Sequence, residues 1–314
     1  MTTNGQNVEH TPPSVLRLAT RGSALALEQT AIVDRLLREQ HPGLMTELVT
    51  VTTTGDANQS APVTQLGDGA FVRGVEAALI QGRADVAVHS AKDVPTTEPA
   101  GLTLAAFPKR ADARDVIVSR DGRRFTELPS GARLGTSSPR RAAIARSLRP
   151  DIEVLPIRGN VDTRLRKLHA GEYDALVLAA AGLTRLGRGA EATEYCDPLV
   201  WVPAPGQGIL AIQCRSGDPA AQILTAIDHA STHAAIAAER AVLRRLGSGC
   251  RTPVGAHARI EDDTLILNAV LVSPDGRRTV IAQQAGSPND AGQIGTALAD
   301  DLIRRGADIY QLAG

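Results

Sequence analysis

The sequence is poor in aromatic residues and has no excess of either charge. Aromatic side chains make up 2% of its 314 residues, so it offers few platforms on which nucleic-acid bases could stack. Its 34 basic residues are balanced by 34 acidic ones, and a formal net charge of zero argues against a general nucleic-acid-binding protein. We therefore expect no nucleic-acid partner.

Cysteine is also scarce, and its spacing is uninformative. Cys196, Cys214 and Cys250 are odd in number and far apart, which argues against a disulfide framework. No CxxC pair typical of a thiolate zinc site occurs. His229 and His233 stand four residues apart, but no third candidate ligand lies nearby in the sequence, and we interpret the pair as an ordinary helix start. We expect no metal.

Long apolar runs are missing as well. No stretch approaches the roughly 18 apolar residues that a membrane span needs, so we expect no membrane association. Residues 1–14 lack the apolar core of a secretory signal and are predicted to form a disordered leader, which makes a cytoplasmic location the default expectation. The P-loop, GxGxxG, HExxH and GxSxG motifs are absent, which leaves nucleotide, zinc-peptidase and serine-hydrolase functions without support.

What is present is an alternation of short apolar strands and helices. This pattern predicts an α/β lobe from residues 15–108 and 205–228 and a second α/β lobe from residues 109–204. Two chain crossings between the lobes would create a hinged cleft, as in periplasmic ligand-binding proteins. Residues 229–314 give a helix, three strands and a closing helix, which predicts a small α+β domain.

The first candidate chemical groups follow the apolar strand that begins at Ala84. The sequence turns polar at Ser90, and ligands of open α/β sheets bind at the carboxyl ends of the strands. Lys92 and Asp93 come directly after this switch. An ammonium beside a carboxylate keeps the carboxylate ionised, so that it can stabilise a cation or transfer protons. The alternative interpretation is a surface ion pair on a loop.

Arginines recur at the ends of other predicted strands. Arg21 precedes Ser23, a predicted helix cap, and such a helix start favours an anion. Thr136-Ser137-Ser138-Pro139-Arg140-Arg141 combines hydroxyls, a first-turn proline and two arginines in the same way. The remaining members of the set are Arg158, Arg164 and Arg185. Solvated loop arginines are the alternative, but arginines gathered in a dry cleft require carboxylates or phosphates, which predicts a small polyanionic ligand.

Cys250 lies in a glycine-rich segment that follows a predicted helix. Gly247 and Gly249 flank Ser248, so the cysteine is expected to project from an open loop. The neighbouring Arg251 and nearby peptide dipoles would lower its thiol pKa and favour the thiolate. A buried structural thiol is the alternative.

Several of these segments together resemble the porphobilinogen deaminase (hydroxymethylbilane synthase) family, and the resemblance covers essentially the whole chain after the leader. The segments are Ala19-Thr20-Arg21-Gly22-Ser23, Val88 through Pro95, Leu134 through Arg141, Arg158-Gly159-Asn160-Val161, Ala181 through Gly187, Gly206-Gln207-Gly208 and Gly249-Cys250. Each is short, but their number, order and spacing make the match specific. One departure is that Gln65 and Asp68 stand where family members often carry lysines.

The resemblance implies an enzyme, a transferase that joins four porphobilinogen molecules head to tail into the linear hydroxymethylbilane and releases ammonia at each step. It implies a dipyrromethane cofactor, attached as a primer through a thioether at Cys250, and a catalytic carboxylate at Asp93 that protonates the leaving amine and stabilises cationic pyrrole intermediates. The implied cofactor-holding residues are Ser90, Lys92, Thr136, Ser138, Arg140 and Arg141. The implied substrate-binding residues are Arg21, Ser23, Phe71, Arg158, Arg164 and Arg185. A monomer and a possible hand-over of product to a cyclising synthase are also implied.

A different class of function shares the expected fold. A non-catalytic two-lobed protein that binds small anions would have the same cleft and the same arginines. Cys250 discriminates between the two, because a receptor has no use for a covalently bound primer. A phosphate-ester enzyme is a further alternative, but the sequence offers no cluster of metal-binding carboxylates to support it.

Overall fold

The computed structural model describes residues 15–53, 69–247 and 252–311, with side chains through residue 306. The predicted leader, Gln65 and Asp68, and the predicted primer-bearing Cys250 lie outside the described residues. The strands are β1 (Val15–Arg21), β2 (Met45–Val51), β3 (Val86–Ser90), β4 (Leu102–Ala106), β5 (Asp115–Ser119), β6 (Arg133–Gly135), β7 (Glu153–Leu155), β8 (Ala175–Ala179), β9 (Glu194–Tyr195), β10 (Leu210–Arg215), β11 (Val254–Glu261), β12 (Thr264–Val272) and β13 (Thr279–Gly286). The α-helices are α1 (Ala24–Gln40), α2 (Arg73–Ile80), α3 (Pro139–Leu148), α4 (Val161–His169), α5 (Ala180–Arg185), α6 (Ala220–Leu224), α7 (Ala230–Leu246) and α8 (Ala291–Gln311).

The first lobe is built on a five-stranded sheet in the order β2-β1-β3-β10-β4. β1 pairs in parallel with β2 and β3, whereas β10 returns from the second lobe and lies antiparallel between β3 and β4. Val86, Ala87 and Val88 of β3 are all buried, as expected for a central strand covered on both faces. The carboxyl end of β3 is therefore held firmly in the middle of the sheet.

The second lobe repeats this arrangement in the order β7-β6-β8-β5-β9. β6 pairs in parallel with β7 and β8, and β5, the strand by which the chain enters the lobe, is antiparallel to β8. The apolar sequence of residues 152–157 predicts a strand over that range, but the edge strand β7 is shorter. Pro156 directly follows its last residue and has no N–H to donate to a neighbouring strand.

The third unit is a three-stranded antiparallel sheet, β11-β12-β13, with α7 and α8 packed on it. Its core includes Leu265, Leu267, Leu298 and Leu302, all fully buried. The two α/β lobes and this smaller α+β unit confirm the predicted fold class. In the parts of the chain that the structure describes, no helix is both long enough and apolar enough to cross a membrane.

The sequence pattern predicts a helix from about Ala234 to Leu246, and helix α7 begins four residues earlier, at Ala230. His229 caps it, because its ring nitrogen Nδ1 accepts a hydrogen bond from the backbone N–H of Thr232 at 3.3 Å. The side chain of His233 contacts Asp228 at 2.9 Å. The interpretation of the two histidines as a helix start is confirmed.

One buried carboxylate joins the third unit to both crossings between the lobes. Glu239 of α7 has no exposed surface and accepts a hydrogen bond at 2.6 Å from Nη1 of Arg110, in the first crossing. It also accepts the backbone N–H of Gly206, in the second crossing, at 2.6 Å, and the N–H of Ala258 in β11 at 2.7 Å. A buried carboxylate needs this degree of compensation. The crossings are thereby anchored to the third unit.

Candidate active site

A cavity of about 1240 Å³ lies where the two lobes and the third unit meet. Its volume exceeds the roughly 300–1,000 Å³ typical of a site for one small molecule. The predicted site residues that line it are Arg21, Ser23, Phe71, Ser90, Lys92, Asp93, Ser138, Arg140, Arg141, Arg158, Arg164 and Arg185. Of the predicted residues that the structure describes, only Thr136 does not line it, because this residue is buried and its hydroxyl accepts the N–H of Ser138 at 3.2 Å.

The charges of the cavity wall are strongly one-sided. Among the described lining residues, Asp93 is the one acidic side chain, and it faces seven arginines and Lys92. The whole chain carries equal numbers of acidic and basic residues. The folded chain therefore concentrates its positive charge at the cavity, which is the environment that a small polyanion requires.

Asp93 lies in the single turn that follows β3. The 3-10 turn Ala91–Asp93 begins directly after Ser90, and the N–H of Ala91 donates to the carbonyl of Ile209 at 3.0 Å. This bond attaches the turn to the segment that enters β10. The Asp93 carboxylate is thus carried by a short, anchored turn at the carboxyl end of a buried strand, where the sequence predicted it.

Ser90 is held by a residue that the sequence analysis missed. Gln29 of α1 is 5% exposed, and its Nε2 donates to Oγ of Ser90 at 2.8 Å. Gln29 lies four residues after Leu25 and four before Val33, which places this polar side chain on the apolar face of the helix. That position was the signal available in the sequence.

Lys92 is a weakened base at the centre of the site. Burial, followed by the positive charge of Arg141, lowers the pKa of Lys92 to about 8, while Asp93 and Asp115 oppose the shift. Its Nζ lies 3.5 Å from Oε1 of Gln207. The ammonium of Lys92 is therefore still mostly protonated at neutral pH and loses its charge as the pH rises through about 8.

Gln207 belongs to the Gly206-Gln207-Gly208 segment, which passes close to the turn that carries Lys92. Gly206 has a positive φ of 76°, and a Cβ on it would lie 2.9 Å from the backbone nitrogen of Lys92. At Gly208, also with positive φ, a Cβ would lie 2.5 Å from the carbonyl oxygen of Ala111. Only glycine fits at these two positions.

A buried carboxylate, Asp115, organises the arginines of α3. It contacts Nη2 of Arg140 at 2.8 Å and Nη2 of Arg141 at 2.8 Å, and it accepts Nε2 of Gln207 at 2.8 Å. Burial opposes its ionisation, but the two arginines and the hydrogen bonds lower the pKa of Asp115 to about 2. The three charged groups together carry one net positive charge. Asp115 was also missed in the sequence, where the signal was an acid opening an otherwise apolar strand.

Three further arginines of the second lobe lack a carboxylate partner among the described residues. Nε and Nη2 of Arg158 are buried without any hydrogen bond to the described part of the chain. Nε of Arg164 donates to the carbonyl of Gly159 and Nη2 of Arg185 to that of Gly208, each at 2.8 Å. Burial lowers the pKa of Arg164 and of Arg185 to about 10, with Arg141 and Arg158 adding to the shift of Arg164. Partly buried guanidinium groups without a carboxylate partner favour an anion beside them.

Arg21 and Phe71 form one side of the cavity in the first lobe. The Cζ atom of Arg21 lies 4.4 Å from the centroid of the Phe71 ring, within cation–π range. The side chain of Ser23 caps α1 by accepting the N–H of Ala26 at 3.4 Å. Across the described ranges, no group of three or more potential metal ligands occurs.

Two α/β lobes around a basic cavity, in which Asp93 is the one acid among the described lining residues, are the arrangement of a two-lobed protein that takes a small polyanion. Residues 16–223 match the family model for "Porphobilinogen deaminase, dipyromethane cofactor binding domain", and residues 233–304 match that for its C-terminal domain. The chain belongs to the porphobilinogen deaminase family, a family of transferases, as the resemblance predicted. The predicted cofactor, dipyrromethane, is confirmed by the first of these matches.

Similar proteins include the porphobilinogen deaminase of Acidothermus cellulolyticus, 52% identical over 301 residues, which are 94% of this chain and 90% of that protein. The porphobilinogen deaminase of Roseiflexus castenholzii is 49% identical over 301 residues, 95% of this chain and 99% of that protein. These relatives do not favour the alternative of a non-catalytic binding protein.

Solved ligand-binding proteins overlap the chain more loosely. The methionine-binding protein MetQ is 12% identical with a TM-score of 0.44, covering 69% of this chain and 89% of its own. The alkanesulfonate-binding protein SsuA from Xanthomonas axonopodis pv. citri is 16% identical with a TM-score of 0.42, and the match covers 97% of this chain and 96% of SsuA. The fold assignment rests on the sheet topology.

Proposed function

We propose that this chain condenses four porphobilinogen molecules head to tail on a covalently bound dipyrromethane primer and releases one ammonia at each step. The observation that carries the proposal is the cavity wall, in which Asp93 is the one acid among the described lining residues and faces eight cationic side chains. Each porphobilinogen ring bears an acetate and a propionate. A growing chain of such rings is the polyanion that these cations require.

The residues of the cavity fit the primer. The buried Nε and Nη2 atoms of Arg158 have no hydrogen bond to the described chain and suit a carboxylate oxygen. Gly247 and Thr252, the described residues on either side of the segment that contains Cys250, both line the cavity. This supports Cys250 as the attachment point. When bound, the primer supplies the terminal pyrrole carbon to which the first substrate is joined.

Asp93 would manage charge and protons at the reacting end. Its carboxyl group holds a proton on the leaving nitrogen as the C–N bond of the aminomethyl group breaks and ammonia departs. The carboxylate then stabilises the positive charge left on the substrate, because a preorganised charge in a partly dry site acts more strongly than one in water. It finally accepts the proton released as the new C–C bond forms.

The other site residues divide between primer and substrate in this proposal. Ser90, Lys92, Thr136, Ser138, Arg140 and Arg141 would hold the primer, with Thr136 acting through the N–H of Ser138. Because Arg140 and Arg141 already share Asp115, a primer carboxylate would meet their single net charge. Arg21, Ser23, Phe71, Arg158, Arg164 and Arg185 would bind the incoming porphobilinogen.

The experiment that tests the proposal is intact-protein mass spectrometry of the purified chain, followed by assay with porphobilinogen. We expect added mass corresponding to two linked pyrroles, its loss in Cys250→Ser, and release of ammonia with formation of hydroxymethylbilane. A bare chain mass without turnover would instead indicate a binding protein. A primer that survives denaturation in Cys250→Ser would place the attachment elsewhere.

We further propose three structural units, formed by residues 15–108 with 205–228, residues 109–204 and residues 229–314. Support comes from the three sheets, each of which draws all its strands from one of these units. A monomeric cytoplasmic enzyme that hands its product to a cyclising synthase also remains our proposal, on the basis of the family resemblance. Light scattering at increasing protein concentration tests the monomer.

A further inference from the structure

Arg244 lines the cavity on the wall that the third unit contributes, although it belongs to none of the motifs described above. It lies in the last turn of α7 and is exposed. The other lining residues of this wall are Leu243, Gly247, Thr252 and Val254, none of which carries a charge. Arg244 is therefore the one charged group that the described part of the third unit presents to the cavity.

The neighbouring arginines of α7 are satisfied within the protein, whereas Arg244 is not. Arg240 donates to the carbonyls of Val94 and Pro95 at 3.3 and 2.8 Å and lies 3.9 Å from Glu98. Arg245 pairs with Asp300 at 2.7 Å. The guanidinium of Arg244 forms no hydrogen bond or ion pair with the residues that the structure describes.

The position of Arg244 places it near the anchored end of the proposed pyrrole chain. Arg240 and Arg244 are four residues apart and so share a helix face. Arg240 binds the segment that directly follows Asp93, while Arg244 lies one turn further along, three residues before Gly247. Gly247 and Thr252 flank the segment with Cys250 and also line the cavity.

We propose that Arg244 binds an acetate or propionate carboxylate of the pyrrole rings nearest the covalent anchor. The inference rests on the proposed function, since it needs an anchored chain of carboxylate-bearing rings. The choice of a carboxylate as the bound group follows from the charge and the position of Arg244 alone. An unpaired guanidinium on an otherwise uncharged wall of a cavity is a ready partner for a carboxylate.

The test compares Arg244→Gln with Arg244→Lys and with Arg245→Gln as a matched control one residue away. Each variant is prepared with its primer and also cofactor-free, from cells unable to make porphobilinogen. Glutamine suits an exposed helix position, so all variants should fold. The first measurement is the rise in melting temperature that the primer confers. The second is the rate at which the cofactor-free chain assembles its primer from porphobilinogen, followed by intact mass.

We expect the rise in melting temperature that the primer confers to be about 2 °C smaller in Arg244→Gln than in the unmodified chain. Primer assembly should be roughly two- to fivefold slower, as expected for the loss of a partly exposed ion pair. Both losses should shrink at high salt, and Arg244→Lys should recover most of them. Arg245→Gln should behave as the unmodified chain. An Arg244→Gln variant equal to the unmodified chain in both measurements would overturn the inference. An unmodified chain that carries no primer mass would overturn the proposed function itself.

Discussion

Asp93 is the residue on which the proposed chemistry depends. An asparagine at this position would keep the size and most of the hydrogen bonding of the side chain but could neither donate a carboxyl proton nor carry negative charge. We expect Asp93→Asn to fold, to carry its primer and to lose at least about 100-fold in turnover, the lower end of general acid–base effects. The measurements are product formation from porphobilinogen, intact mass and melting temperature. Turnover near that of the unmodified chain would remove Asp93 from the mechanism.

Lys92 makes the site sensitive to alkaline pH. Burial and Arg141 lower the pKa of Lys92 to about 8, so its positive charge is present below that pH and is lost above it. We expect primer assembly by the cofactor-free chain to slow as pH rises through about 8. In Lys92→Arg, whose guanidinium stays charged, this decline should move to higher pH. Lys92→Gln should be slow at every pH and lack the decline. The same alkaline profile in all three chains would assign it to another group.

The titration of Lys92 also affects stability, with a definite sign. Because its folded pKa lies below the unfolded value, the unfolded chain binds more protons between about pH 8 and 10.5. The contribution of this group to the free energy of unfolding therefore rises with pH across that window. This contribution is measured by chemical unfolding of the cofactor-free chain and of Lys92→Gln. The measurements are made at about pH 7.5 and about pH 10, which lie roughly at the two ends of the window.

At the residue scale, the sequence allowed prediction of which side chains reach the cavity but not of which partners they find there. Arg21 ends a strand and Arg158 and Arg185 come after strands, so the rule for parallel sheets was sufficient to place them. Asp115 and Gln29 could not be paired with Arg141 and Ser90 in advance. Those contacts join residues 26 and 61 positions apart, and they depend on how helices pack on sheets.

At the scale of elements, Asp115 joins α3 to β5. Asp115→Asn would remove the negative charge that compensates Arg140 and Arg141, both of which are almost fully buried. Breaking a buried ion pair from one side costs about 3–5 kcal/mol of unfolding free energy. We expect a loss of that size by denaturant unfolding. Asp112→Asn is the matched control, because Asp112 pairs with the partly exposed Arg114 and should cost under about 1 kcal/mol.

The pH dependence of this pair adds a second check. The pKa of Asp115 is lowered to about 2, so its contribution to stability is complete above the unfolded value near 3.9 and disappears as pH falls towards 2. The stability difference between the unmodified chain and Asp115→Asn should narrow over that acid range. A difference that is independent of pH, or equal losses in the Asp112 and Asp115 variants, would contradict this assignment.

Element boundaries were predictable where a local signal fixes them. Helix α1 begins at Ala24, directly after its predicted cap Ser23, whose side chain accepts the N–H of Ala26. Helix α7 starts earlier than predicted because a histidine, a less usual cap, begins it. The six-residue helix α5 was not predicted, since it follows β8 without a break and is too short for an apolar period. The start of α1 is thus determined by local chemistry, whereas helix α5 depends on tertiary packing.

At the scale of the whole molecule, the alternation of strands and helices sufficed to predict the two lobes and the return of the chain to the first. The participation of the third unit in the cavity was not predictable beyond Cys250. Leu243, Arg244 and Val254 line the cavity and belong to a helix and a strand of the third unit. The apolar patterns of these two elements indicate which residues pack inside that unit, but not which residues reach the cavity. Their position depends on contacts such as that between Glu239 and Arg110, which join residues 129 positions apart.

Glu239 accordingly gives the last prediction, which concerns the attachment of the third unit to both crossings. Both carboxylate oxygens accept hydrogen bonds, from Arg110, Gly206 and Ala258. Glutamine has the same shape but only one acceptor oxygen, and its NH₂ group would face a donor. We expect Glu239→Gln to lower the free energy of unfolding by about 3 kcal/mol, because the Arg110 side chain, only 13% exposed, loses its counter-ion.

The crossings should also become more open to proteolysis in Glu239→Gln, since Arg110 and Gly206 lose their common anchor. Limited proteolysis with mass mapping of the cleavage sites measures this, and Glu261→Gln provides the control. Glu261 pairs with Arg259 on the surface of the same unit, where an ion pair contributes little. If both variants resist protease equally, the third unit is held to the lobes by its apolar contacts, and the carboxylate of Glu239 serves only to satisfy its buried neighbours.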